Sequence, residues 1–324
     1  MKDGIKEKTT VKPLIEQRAD PHIYRHTDGH YYFTASVPSY DRVELRRATT
    51  IDGLATAVPV DVWHKPDEGA YSELIWAPEL HFNAGAWFVY FAAAPSREIK
   101  NHLFQHRMYA LRNPSANPLE GAWELMGEVD TGRDTFCLDA TTFSHGGVLY
   151  YLWAQKDEAI AGNSNLYIAP MTTPWQLGGP AVMLSRPEFD WECRGFLVNE
   201  GPSVLKRNGK IFISYSASAT DENYAMGLLW ADEQADLLDP ASWHKAPQPV
   251  LTTDYVRGLY GPGHNSFTVA EDGVTVLLVY HARTYTEIVG DPLWNPDRHT
   301  FVKPLLWDAD GTPLFNAGDY SAGT

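Results

Sequence analysis

Two cysteines, Cys137 and Cys193, are all that 324 residues contain. They supply neither a disulfide framework nor the ligand spacing of a structural zinc site. Two buried free thiols are expected instead. Positive charge is also short: 26 Lys and Arg stand against 41 Asp and Glu, a formal charge of −15. Nucleic acid and anionic membrane both need clustered Lys and Arg, so neither is an expected partner. A surplus of acid also keeps a surface soluble, and that accounts for most of it. No run approaches the roughly 18 apolar residues of a membrane span. Met1 to Leu14 is charged throughout, without the apolar stretch of a secretory signal. The expected location is therefore the cytoplasm. Long capped helical stripes are missing as well. What is left is strand: short apolar and β-branched runs cut by Gly, Pro, Asn and Asp.

Those strands recur. Five segments begin at Asp20-Pro21-His22, Ala77-Pro78-Glu79, Asp139-Ala140-Thr141, Glu200-Gly201-Pro202 and His264-Asn265-Ser266. Each runs through a short strand to a turn glycine, at 29, 85, 147, 209 and 273, and then into a second apolar strand. The glycines are 56, 62, 62 and 64 residues apart. A period this long, with all-strand content, is the signature of a propeller. Third strands follow at 43–48, 107–111, 165–169 and 225–230, and fourth strands lie near Trp63, Trp123, Trp175 and Trp243. The predicted fold is all-β, a five-bladed β-propeller with its active site at the mouth of the central channel. The blades occupy residues 19–316. Residues 1–18 form an N-terminal extension, in which the stretch around Val11–Ile15 is compatible with ring closure, and 317–324 form a C-terminal tail.

In a ring of equivalent units, equivalent positions converge on the axis. Here they read Asp20, Ala77, Asp139, Glu200 and His264. Ring order makes Asp139 and Glu200 neighbours and sets Asp20 across from them. Two adjacent carboxyls do not both ionise easily, so one stays protonated at neutral pH. A third carboxylate across a gap of roughly 6.5–9.5 Å, with room for water, is the arrangement of an inverting glycosidase. Asp20 is the expected general base, Glu200 the general acid, and Asp139 the neighbour that tunes and orients Glu200. Singly each has a plainer reading: an Asp before Pro is usually a turn residue, and Glu200 before Gly-Pro is ambiguous. An unpaired carboxylate in an apolar strand, as at Asp139, is costly and therefore unusual. His264 is either a structural histidine or a channel ligand for a metal ion or water.

These residues resemble glycoside hydrolase family 43, the propeller arabinofuranosidases, arabinanases and xylosidases. The resemblance rests on Ala19-Asp20-Pro21, Trp76-Ala77-Pro78-Glu79, Leu138-Asp139-Ala140, Asn199-Glu200-Gly201-Pro202, Gly261-Pro262-Gly263-His264 and His281-Ala282-Arg283, and it covers roughly residues 15–316. It implies the same three carboxylate roles and a calcium ion or water at His264. It implies that Arg283 reaches both the sugar and Asp139, a pair of tasks that suits a planar guanidinium. Phe33 and Trp76 would give apolar faces to the sugar, although core packing is the commoner fate of an aromatic. Asp190-Trp191-Glu192-Cys193 is similar to the Glu-Cys motif of the retaining invertase-like propellers, which would make Asp20 a nucleophile and Glu192 the acid. The Asn-Asp-Pro and Arg-Asp-Pro motifs of those enzymes are missing, and Glu192 precedes Glu200 by eight residues.

The expected substrate is an oligosaccharide. No C-terminal β-sandwich of the kind found in many xylosidases follows the blades, which favours the arabinose-releasing members. A cytoplasmic enzyme meets imported oligosaccharides, which favours exo action. The expected activity is release of terminal α-L-arabinofuranose from short α-1,5-linked arabino-oligosaccharides, with the 156–165 loop, carrying Asn163 and Asn165, and the 284–299 segment as walls of the pocket. The alternatives are a β-xylosidase, an endo-arabinanase, and, from another class, a non-catalytic propeller binding sugar or protein. Oligomeric state is not readable from the sequence.

Overall fold

Each of the five turn glycines closes a hairpin between the first two strands of a sheet. Their φ values are 82°, 77°, 80°, 75° and 74° for Gly29, Gly85, Gly147, Gly209 and Gly273. That is left-handed backbone, which glycine adopts without steric cost. The computed structural model describes residues 11–318. The first ten residues of the predicted extension and residues 319–324 of the predicted tail lie outside that range.

The hairpins start five antiparallel sheets. Their inner strands are Ala19–Arg25, Glu73–Asn83, Cys137–His145, Asn199–Arg207 and Tyr260–Val269. Each packs against the inner strands of its two neighbours, blade V against blade I included, so the ring is closed. The five-bladed propeller read from the repeat is borne out. Among the described residues the only α-helix is the short Gly53–Thr56.

Two blades depart from the expected pattern. In blade III the segment at Trp175 makes only a tight hairpin, and the outer strand is Val182–Ser185. Blade V has three strands, Tyr260–Val269, Val276–Arg283 and His299–Pro304, while Leu306–Trp307 and Pro313–Leu314 pair separately. On the free edge of His299–Pro304, Ile15 bridges Thr300. The Thr300 amide donates to the Ile15 carbonyl at 2.8 Å, and the Leu14 amide donates to the Thr300 carbonyl at 2.8 Å. The first described residues therefore extend the sheet of the last blade.

Between the blades lie the apolar cores. Ile15, Ile23, Phe33, Leu277 and Val279 fill the seam of blades V and I, and the largest cluster spans blades II to IV around Tyr151 and Trp153. Burying one such side chain contributes on the order of 2–3 kcal/mol. Cys137 is buried and Cys193 half-buried, and both are free thiols.

Candidate active site

Near its start, every inner strand carries a bulge in which two residues face one on the partner strand. The first bulged residues are Asp20, Ala77, Asp139, Gly201 and His264, with φ of 55°, 44°, 55°, 55° and 45°. Four of these are not glycine, and left-handed backbone costs such residues about 1–2 kcal/mol each. Strain repeated at one point of a ring, and occupied by Asp and His, marks a functional site. The bulge turns these N–H groups away from the ladder, and side chains of the preceding blade take four of them. The Asp20 amide donates to His281 Nδ1 (3.0 Å), Ala77 to Ser36 Oγ (2.8 Å), Gly201 to Asp139 Oδ2 (3.0 Å) and His264 to Ser216 Oγ (2.7 Å).

Glu200 is not in the register expected of it. It pairs with Ser216 just ahead of the bulge, the position that Ala19, Trp76, Leu138 and Gly263 hold in the other blades. Gly201 takes the left-handed place. A Cβ on Gly201 would stand 3.0 Å from Cγ and 3.1 Å from Nδ1 of His264. Gly201→Ala is therefore expected to displace His264 and loosen the Asp139 contact. We expect kcat to fall roughly 10–100-fold, since small misplacements near the chemistry are that costly. A variant with unchanged kcat would show that this close approach is dispensable.

Asp20, Asp139, Glu200, His264 and Trp76 line one cavity of about 140 Å³. Asp20 is buried, and burial alone would raise its pKa. His264, Arg298 and His281 more than offset that and hold it well below the usual carboxylate range. Its Oδ1 lies 3.2 Å from His281 Nδ1, 3.4 Å from His264 Nδ1 and 3.4 Å from Arg298 Nη1, while Ser36 donates to Oδ2 at 2.6 Å. Glu200 goes the other way. Burial pushes it up to about 7, with Asp20 adding repulsion and the Tyr224 hydroxyl, donating to Oε1 at 2.9 Å, pulling back. Asp139 is raised well above the ordinary range by burial, then by Glu200 and Asp20. His264 Nδ1 lies 3.6 Å from Asp139 Oδ2, so this imidazole sits between Asp139 and Asp20.

Two expected sugar contacts are not in this cavity. Phe33 is 1% exposed and packed in the seam of blades V and I, because its place on the second strand faces the neighbouring blade. Arg283 is buried too, but its guanidinium is consumed by the carbonyls of Thr220 and Pro292 and by Asn295 Oδ1. It ties down the loops of blades IV and V. The guanidinium at the cavity is Arg298, which also donates to the Tyr40 hydroxyl at 3.1 Å. It comes from the long 284–299 segment, as does Leu293 in the cavity wall. Asn163 lines the cavity as expected, but Asn165 is buried in its strand. Trp76 stands in the wall, stacked on His106 with centroids 3.8 Å apart, and its Nε1 finds no acceptor among the described residues.

Glu192 lies outside the cavity. Fully buried, its carboxylate accepts from Asn199 Nδ2 (3.0 Å), the Tyr215 hydroxyl (2.8 Å) and Lys245 Nζ (2.8 Å). Asn199 precedes Glu200, so Glu192 anchors the backbone that carries the candidate acid. Deeper in the channel, His22, Glu79 and His81 bring potential ligand atoms within 4.8 Å of one another. Two imidazoles and one carboxylate do not fit calcium, which takes six to eight oxygens.

A model of the glycosyl hydrolases family 43 matches residues 10–313. The chain belongs to glycosyl hydrolase family 43. It is 52% identical, over 95% of its length, to an extracellular exo-α-(1→5)-L-arabinofuranosidase of Streptomyces avermitilis, and spans 63% of that protein. It is 53% identical, over 86% of its length, to a protein of the same description from Streptomyces chartreusis, and spans 84% of that one. A solved α-L-arabinofuranosidase from Lactobacillus brevis superposes with a TM-score of 0.93 at 56% identity, covering 96% of this chain and 97% of that one. Both Streptomyces proteins are described as extracellular, which contradicts the cytoplasmic location expected above. That expectation rested on the charged first residues, and where a sequence begins says nothing of location. The argument for exo action from imported oligosaccharides falls with it.

Proposed function

We propose that the chain is an inverting, exo-acting α-L-arabinofuranosidase that releases terminal arabinose from α-1,5-linked arabino-oligosaccharides. One observation carries this reading: acidic groups around a single cavity are tuned in opposite directions. Asp20 is held ionised, and Glu200 is held protonated up to about pH 7. A base and an acid set apart by their surroundings are what glycoside hydrolysis needs. Asp20 takes a proton from the attacking water, and Glu200 gives its proton to the leaving oxygen. Asp139 holds the Gly201 amide beside Glu200, and the mutual repulsion of the two carboxylates keeps a proton on the pair.

The sugar and linkage are supported by the names of relatives more than half identical to this chain. Exo action is supported by the cavity, which measures about 140 Å³ and is walled by Trp76, Phe136, Phe196 and Leu293. That is smaller than the ~300 Å³ where drug-sized pockets begin, and it suits one terminal sugar. Hydrolysis of p-nitrophenyl α-L-arabinofuranoside and β-D-xylopyranoside, with linear arabinotriose and xylotriose, tests this. Arabinose is expected from both arabinosides, at a kcat/KM at least ~100-fold above that for the xylosides, since a buried polar pocket rejects misplaced hydroxyls strongly. Xylose release alone would overturn the sugar assignment.

A further inference from the structure

The deeper half of the channel holds a group of side chains that glycoside hydrolysis does not use. His22 follows the bulged Asp20 by two residues, and Glu79 follows the bulged Ala77 by two. Beyond the bulge, strand alternation puts His81, two residues further on, on the face of Glu79, and the packing of blade I on blade II brings His22 to the same point. All three are buried, with exposures of 8%, 6% and 8%. Glu79 Oε2 stands 2.8 Å from His81 Nε2 and 3.7 Å from His22 Nε2. His22 Nδ1 is buried with no hydrogen-bond partner among the described residues. A buried carboxylate facing two imidazoles, one of them with an unpartnered nitrogen, is a donor set that a cation would complete.

We propose that His22, Glu79 and His81 bind a divalent transition metal of the zinc class in the channel, joining blade I to blade II. Two nitrogens and one oxygen are the donors that zinc and cobalt(II) prefer over calcium, and three protein ligands leave room for an exchangeable fourth. That room exists. A cavity of about 300 Å³ opens beside the cluster, lined by His22 and His81 and by the hydroxyl residues Thr141, Thr142, Ser203 and Thr268. Water ligands placed there have hydroxyls to hydrogen-bond with. The proposal departs from the calcium ion at His264 that the family resemblance implies. His264 presents Nδ1 to Asp20 and Asp139 and is not one of the clustered ligands.

Titration calorimetry of chelator-treated protein with zinc, cobalt(II) and calcium chlorides tests the site without any activity assay. Zinc and cobalt are expected to bind one per chain, with a visible d–d band for tetrahedral or five-coordinate cobalt. Saturating zinc should raise Tm by about 3–6 °C, as a ligand of the native state alone does. His81→Ala and His22→Gln should each weaken zinc at least tenfold. Circular dichroism of the metal-free variants checks their folding, and the wild-type titration stands even if one variant fails to fold. Absence of one-to-one zinc or cobalt binding, binding untouched in both folded variants, or calcium binding alone would each overturn the proposal.

Discussion

Glu200→Ala is expected to lower kcat/KM on arabinotriose by about 10²–10⁴-fold, the usual worth of a general acid. On p-nitrophenyl α-L-arabinofuranoside the loss should be much smaller, because nitrophenolate leaves without a proton. The wild-type profile should lose activity as pH rises past about 7, where Glu200 gives up its proton, and the variant should lack that limb. Stability separates this from unfolding. The unfolded chain gives up this proton first, so native stability falls as pH climbs from the ordinary glutamate range to about 7 and stays lowered above it. Glu200→Gln should therefore melt higher than wild type at pH 8 and nearly equal at pH 5. Equal losses on both substrates, or an alkaline limb that persists in Glu200→Ala, would remove Glu200 from the acid role.

Arg298→Met carries the second large effect. Arg298 is the permanent positive charge beside Asp20, with 3.4 Å between Nη1 and Oδ1, both side chains buried. Without it, desolvation of Asp20 is opposed by the Ser36 hydroxyl and by His264 and His281, whose own pKa values burial lowers, to about 3 for His281. The pKa of Asp20 must rise. The base role proposed for Asp20 requires it ionised, so activity should be lost as pH falls through that pKa, and the acid limb should move up by roughly 1–3 units. Breaking a buried pair also costs on the order of 3–5 kcal/mol, so Tm should fall. Arg283→Met is the control: it loses contacts to Thr220, Pro292 and Asn295 and should destabilise without moving the acid limb. Profiles of kcat/KM against pH for the three proteins decide between them. An acid limb that stays in place in Arg298→Met would show that Arg298 does not hold Asp20 ionised.

The sequence carried the ring and the acids because repetition made them visible. Turn glycines at one period announce hairpins, and residues at one offset from them must meet at the axis. Asp20, Asp139, Glu200 and His264 were found that way. The same logic misplaced Glu200 by one residue, since a strand alternates but a bulge does not, and no pattern tells which of Glu200 and Gly201 occupies the left-handed spot. Arg298 was missed for another reason. It lies at the end of an irregular segment with no period, and its role depends on how that segment folds back. Arg283, in a regular strand beside His281, looked better placed, yet its guanidinium is spent on carbonyls. Phe33 was misread because an aromatic on a strand faces a neighbouring blade as readily as a cavity. Tyr224 and Ser36 carried no signal; only coordinates show their hydroxyls on Glu200 and Asp20.

The most direct test of the account is the anomeric form of the first sugar released. Proton NMR during early turnover of an α-L-arabinofuranoside resolves it before mutarotation. If Asp20 activates water on the face opposite the leaving group, β-L-arabinose appears first and the α form grows in later. If α-L-arabinose appears first, the sugar has passed through two displacements, and Asp20 is not the base proposed here.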